Sequence, residues 1–394
     1  MNVPRGGVLA IIAALLLAAC AGPAPVPQQP ASARPVASNS PIVDPWQTDF
    51  DRLADHVSLD DFIRALPWRD AIPALSRPAV VPASEIGWIL DDEPVIAVER
   101  DGTWRAYPLQ ILLWHEIVND LLDGQPIVVT FCPLCHTAVV FDPRLDAEAL
   151  EFGVTGYLRR SDLVMYDRQT ETWWQQATGV GLIGTHAGRH LEILPSSLVA
   201  WSEFRAAHPD ADVLDRATGY DRPYGRNPYP GWDLVEGNPY FKEADLLACE
   251  GAEGCVDPKE RVAVVSANGE TVVLPFRRLA DAGGLVELDL GGLPVVVWWQ
   301  SGVRSVLGNQ LIERSDQVGT VVAFDRRYDA AVLSFELLGS VLVDAQSGTE
   351  WNSLGEAIAG PHSGGRLHRV QVDTPYWFGF AAFGEGYRVW SEDR

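Results

Sequence analysis

Positive charge is scarce in this 394-residue chain, where 30 lysines and arginines face 53 aspartates and glutamates, a formal net charge of −23. Such a balance repels phosphate backbones, so nucleic acid is not an expected partner. Apolar runs long enough to span a bilayer are missing after the first nineteen residues. Helical text is thin, and cysteine occurs at only five positions. One further absence removes a reaction class. His115-Glu116 opens like a zinc-protease helix, but Asn119 stands where the second His would be needed.

The N-terminus does carry an apolar run, and it is short. Arg5 is its one charged side chain, and an uncharged stretch from Val8 to Ala19 is the length of a signal h-region. It ends in Leu17-Ala18-Ala19-Cys20, which resembles a bacterial lipobox. The expectation is a signal peptide over 1–19 and a lipid-modified Cys20, with several acyl chains (palmitate among them) giving firm membrane anchoring. Ala21 takes the place where an inner-membrane retention signal would put Asp. An outer-membrane lipoprotein facing the periplasm is therefore expected. Residues 20–43 are rich in Pro, Ala, Ser and Gln and read as a flexible tether.

Two segments of the remaining chain resemble one another. Pro94–Leu112 is similar to Val262–Leu279, Asp123–Phe131 to Gly291–Trp299, and Phe141–Phe152 to Phe324–Phe335 without a gap. Asp167 and Trp174 keep the spacing of Asp344 and Trp351. The expected organisation is a helical lead-in over 44–85, repeat one over 86–218, a Pro/Tyr/Gly-rich connector over 219–260, and a degenerate repeat two over 261–394. Short β-branched and aromatic runs separated by Asp101-Gly102 and Asn268-Gly269 turns predict a mainly β fold with short helices, an α+β protein of two tandem pseudo-repeats. Helices are expected from Ser58, over Leu109–Leu122 and over Trp201–Ala207. Repeat two lacks the thiols, any match to His115-Glu116, and six residues near Ser161-Asp162.

Besides Cys20, the cysteines form two close pairs. Cys249 and Cys255 lie in a Gly- and Glu-containing loop, and a structural disulfide is expected there. Cys132 and Cys135, in Cys-Pro-Leu-Cys, leave three readings open. A redox pair would use the proximity of the two sulfurs, although it follows a strand rather than capping a helix. A metal site would recruit His136, with His115 or Met165 as further ligands. A plain disulfide could brace the strand end. Cys132 to His136 also spells the haem-attachment pattern, but a single copy in β text speaks against haem.

These residues carry a wider resemblance. Asp92–Ala97, Ala106-Tyr107-Pro108, Trp114–Asp120, Cys132–Thr137, Phe141-Asp142, Phe152–Gly156, Ser161–Arg168 and Trp174–Gln176 are similar to the motifs of the DUF3179 domain family, over nearly everything after Asp44. That family has no assigned reaction. It includes selenoproteins with selenocysteine in the CxxC region, which implies redox chemistry at Cys132 and Cys135. His136 stands where other members carry Gly or Asn, which weakens the haem reading further. The expectation is thus a thiol/disulfide site at Cys132 and Cys135, with His115 and Glu116 tuning or relaying protons. His136, Ser161, Asp162, Asp167 and Gln176 would line the pocket. The alternatives are a copper or zinc module using Cys132, Cys135 and His136, or a non-catalytic envelope protein that binds a protein or small-molecule partner. No cofactor is firmly implied.

Overall fold

A computed structural model describes residues 46–146, 148–233 and 256–392. The signal segment, the tether, Cys20, and the Cys249 and Cys255 pair lie outside the described residues. Strands dominate, and the four α-helices among the described residues are all short: Leu109–His115, Trp201–Ala207, Phe276–Asp281 and Trp377–Ala381. The fold is mainly β with short helices. No helix among the described residues is long and apolar enough to cross a membrane.

Local chemistry explains most of the hairpins. Asp101-Gly102, Asp123-Gly124 and Asn268-Gly269 all have positive φ at both residues, the backbone of tight two-residue hairpin turns. They join Pro94–Arg100 to Thr103–Pro108, Ile117–Leu122 to Gln125–Cys132, and Val262–Ala267 to Glu270–Pro275.

Two helical expectations are corrected. From Ser58 the chain makes one 3-10 turn, Leu59–Asp61, with Ser58 and Asp61 forming a reciprocal cap, and then enters the strand Phe62–Arg64. The lead-in is mostly turns and irregular chain, with the short strands Leu75–Ser76 and Val80–Pro82 docking on sheets of the first half. The helix from Leu109 ends at His115, not Leu122, because Glu116 turns to φ +58 and Ile117–Leu122 pairs with Gln125–Cys132. The apolar residues of 117–122 fit either a helix face or a strand. The Asp123-Gly124 turn, by offering a partner strand, decides for the strand.

In the first half three ladders matter. Pro94–Arg100 sits between Ser196–Ala200 and Thr103–Pro108. Gln125–Cys132 sits between Ile117–Leu122 and Thr137–Asp142. Phe152–Arg159, Asp162–Asp167, Trp173–Gln175 and Gly181–Ile183 form a meander. The second half runs its sheets in matching order: Val372–Asp373, Val262–Ala267, Glu270–Pro275; then Leu285–Leu290, Leu293–Gln300, Thr320–Asp325; then Phe335–Leu338, Val341–Asp344, Glu350–Trp351, Ala357–Ala359. One difference positions the site. The hairpin Phe335–Leu338/Val341–Asp344 has four residues per strand, whereas Phe152–Arg159/Asp162–Asp167 has eight and six. The longer hairpin carries Ser161 and Asp162 at its tip.

The halves share a core. Val95, Trp104, Trp201 and Phe204 pack in one buried cluster with Val296, Trp298, Phe324 and Trp351. A second cluster gathers Phe131, Cys132, Cys135 and Met165 with Leu307, Tyr376 and Phe378. Cys132 and Cys135 are thus enclosed by both halves.

Candidate dithiol–carboxylate site

Gln125–Cys132 and Thr137–Asp142 are joined by the turn Pro133–His136, with Cys132 paired to Thr137 across its base. Four loop residues bring the two sulfurs together, and His136 adopts φ +57 to complete the reversal. Both thiols are free and buried, 1% and 0% exposed. The extended hairpin delivers Asp162 to the same point. The Cys132 and Cys135 sulfurs and an Asp162 carboxylate oxygen all lie within 4.8 Å of one another.

Asp162 is held by donors. Its Oδ2 accepts from Gln175 Nε2 at 2.6 Å and from the Ala177 amide at 2.9 Å, and its Oδ1 accepts from Cys135 Sγ at 2.9 Å. Thr137 Oγ1 lies 3.0 Å from Cys135 Sγ and 3.3 Å from Asp162 Oδ1, and donates to Gln176 Oε1 at 2.6 Å. Gln176 Nε2 in turn donates to Thr130 Oγ1 at 2.8 Å. The side chains of the Cys135–Asp162–Thr137–Gln176 cluster are therefore fixed by hydrogen bonds in a buried interior. Ser161 differs. Its carbonyl lies 4.0 Å from Cys132 Sγ, while its buried hydroxyl has no hydrogen-bond partner among the described residues. A native buried polar group without a partner requires an explanation, and a bound group is one.

The electrostatics are one-sided. Burial raises the Cys132 thiol above its ordinary range, and the Asp162 and Glu116 carboxylates push it further. Burial also raises Cys135, well above that range, with Cys132 and Asp162 adding to the effect. Asp162 is itself raised by burial. Glu116 is pushed up to about 8, by burial first and then by Asp162, and accepts from Tyr229 Oη at 3.3 Å. No cation is among the causes acting on either sulfur. Both thiols therefore hold their protons at neutral pH, the opposite of the thiolate-stabilising setting of a reactive cysteine.

The expected site residues divide. Cys132, Cys135, Ser161, Asp162, Gln176 and Glu116 come together. His115 does not join them. Its Nδ1 contacts the Pro73 carbonyl at 2.7 Å and its Nε2 the Tyr224 hydroxyl at 2.7 Å, and burial pushes its pKa down to about 4. Adjacent residues at a helix end face different ways, so His115 meets the tyrosines while Glu116 feels the thiols. His136 also turns away. Its Nδ1 contacts the Thr374 carbonyl at 2.7 Å and its ring packs edge-on against Phe131. The third candidate ligand is Asp162 in place of His136. Met165 is buried, pairs across the ladder with Val154 and Trp174, and belongs to the same buried cluster as Cys132 and Cys135.

Asp167 serves the fold. It accepts from the Thr170 amide at 2.6 Å and from Trp174 Nε1 at 2.9 Å, and Asp344 does the same with Ser347 at 2.6 Å and Trp351 at 3.1 Å. The equal spacing of these residues reflects a turn-and-tryptophan clasp.

Sequence reasoning missed Thr130, Gln175 and the residues that clamp the turn. Trp232 Nε1 donates to the Leu134 carbonyl at 2.9 Å, and the Tyr376 amide to the Cys135 carbonyl at 2.9 Å. Gly379 faces Cys135 so closely that a Cβ there would lie 2.8 Å from Cys135 Cβ. Sequence proximity signals none of these contacts, since Tyr376 and Gly379 come from the far end of the chain. Thr137 did stand within the motif.

Nothing matches this chain among curated proteins or among solved structures. The sequence model of one family, described as a protein of unknown function (DUF3179), matches residues 69–386. That span contains every residue of the dithiol–carboxylate cluster, and the chain belongs to the DUF3179 family.

Proposed function

We propose that Cys132, Cys135 and Asp162 form a binding site for a thiophilic, borderline cation of the zinc class. The carrying observation is the convergence of two sulfurs and a carboxylate oxygen within 4.8 Å in a fully buried setting. Tetrahedral coordination at ordinary zinc–sulfur and zinc–oxygen lengths separates ligand atoms by about 3.5 Å, a spacing this group reaches with small side-chain adjustments. The charge pattern supports the same reading. Neighbouring carboxylates that disfavour a bare thiolate favour a metal ion, which displaces the thiol protons outright. The mixed S/O donor set suits Zn(II) better than Cu(I), which prefers sulfur alone. Three protein ligands leave a fourth position, as in zinc sites that handle substrate. Envelope location by a lipid on Cys20, facing the periplasm, belongs to the same proposal. So does the reading of the halves as tandem copies of which only the first kept the thiols, which the matching sheet order supports.

A second reading rests on the Cys135–Asp162 hydrogen bond. Asp162 would take the Cys135 proton, and the thiolate would attack a small disulfide substrate. One substrate thiol would leave, and Cys132 would then displace the other to close a Cys132–Cys135 bond.

Titration of the full chain, purified in detergent and stripped with chelator, separates the two. Binding of one Zn(II) that protects both thiols from alkylation is expected. Cys132→Ser, Cys135→Ser and Asp162→Asn should each weaken it more than tenfold. If alkylation proceeds equally with and without Zn(II), while a graded thiol buffer oxidises the pair reversibly, the second reading replaces the first.

A further inference from the structure

The buried cluster touches solvent-facing structure through Thr137. Its hydroxyl contacts Cys135, Asp162 and Gln176, and Thr137 also lines a cleft of about 210 Å3 between the two halves. From the first half come Thr137, Val139 and Thr178, and from the second come Ser266, Asp373, Phe380 and Glu385 among others. Clefts at such junctions are where proteins most often take small ligands.

The lining has a definite character. Its polar members are hydroxyls and the carboxylates Asp373 and Glu385, and no Lys, Arg or His is among the lining residues. Asp373 is partly buried, and one side-chain donor, Gln371 Nε2 at 2.8 Å, reaches it. Burial pushes its pKa up to about 6. Two arginines flank one wall: Arg159 and Arg160 hold their guanidinium carbons 5.8 and 5.9 Å from the ring of Phe383, a lining residue, while Arg160 donates to the Ala382 carbonyl and Arg159 to Gln175 Oε1 and Asp61 Oδ2. The charged groups of the lining itself are the two carboxylates, which attract cations, and the Thr137 hydroxyl joins the lining to the thiol–carboxylate cluster.

We propose that this cleft is the access site for the buried cluster, selecting cations at Asp373 and Glu385 and passing them behind Thr137 to Cys132, Cys135 and Asp162. The proposal rests on the cation-binding reading for its endpoint and adds the route and the charge of what is admitted. Two consequences differ from those of the endpoint alone. Uptake should be steered by charge, and removal of the cleft carboxylates should slow arrival without changing the final affinity.

The test follows Cd(II) uptake by the full chain in stopped flow, through the thiolate-to-cadmium charge-transfer absorbance. The second-order rate should fall as salt rises, and fall roughly five- to tenfold in an Asp373→Asn/Glu385→Gln variant, with the equilibrium affinity within about twofold of wild type. An unchanged rate at unchanged affinity would overturn the access site while leaving the cation site intact. Alkylthiosulfonate reagents matched in size but bearing a cationic or an anionic head give an answer independent of metal. Faster labelling of Cys132 and Cys135 by the cationic reagent supports the route, and equal or reversed rates refute it. A wild-type chain that takes up no cadmium defeats the binding reading, and the reagent series then still decides the charge of what the cleft admits.

Discussion

At Asp162 the Gln175, Ala177, Cys135 and Thr137 groups converge on one buried carboxylate, two from the end of the Trp173–Gln175 strand and two from the cysteine turn and the strand it enters. Such a residue is recognisable in sequence only as an acid in a motif; its burial and its thiol partner are not. Glu93 makes a similar point away from the site. It is 2% exposed, accepts from Gln110 Nε2, and burial pushes it up to about 7 from an ordinary 4.5. A folded-state pKa above the unfolded one means that the native protein binds the proton more tightly. The associated stability is fully present below about pH 4.5 and is lost as pH rises through about 7. The shift corresponds to about 3 kcal/mol. Glu93→Gln should therefore stabilise the protein at pH 8 and change little at pH 4.5, as read by denaturant melts at both values. Equal effects at the two pH values would show that Glu93 is not held protonated.

Among the elements, the two meanders differ in the reach of one hairpin. The clasps Asp167–Trp174 and Asp344–Trp351 anchor equivalent turns, but only the longer Phe152–Arg159/Asp162–Asp167 pair extends to the cysteine turn. The six-residue excess near Ser161 was legible in the sequence; its consequence, a carboxylate placed against Cys135, was not. The C-terminal helix Trp377–Ala381 closes the other side of that turn, and Gly379 sits where no side chain fits. Helix propensity alone would favour alanine there. Overpacking should reverse that preference. Gly379→Ala is expected to cost about 1–3 kcal/mol and to speed alkylation of Cys135 as the turn loosens. A stabilised variant with unchanged labelling would show that the helix is free to shift away from the turn.

For the whole molecule, the halves are tied by shared core clusters and by the segment 220–233, which crosses the turn with Tyr224 on His115, Tyr229 on Glu116 and Trp232 on Leu134. A site enclosed this way cannot be carried by the first half alone. The N-terminal expectation belongs to this scale too. Cys20→Ala should leave the chain unprocessed or released from membranes, and recovery of a variant cleaved of its signal segment in the pellet after a carbonate wash would contradict lipid anchoring.

Several features were determined by sequence alone because they depend on neighbours along the chain. Asp-Gly and Asn-Gly turns set the hairpins, β-branched runs set the strands, and the Cys-Pro-Leu-Cys spacing brought two sulfurs to one turn. The family and the mainly β class follow from such local patterns. Burial and long-range contact decided the rest. Whether Ile117–Leu122 is helix or strand depended on a partner, and whether His115 or Glu116 acts electrostatically on Cys132 depended on how a helix end was packed. That Asp162 rather than His136 stands beside the two sulfurs depended on a hairpin tip 26 residues away and on the Thr374 carbonyl that captures the imidazole. Folding sets those energies by desolvation and by the contacts it makes, and neither can be read from the order of residues in the turn.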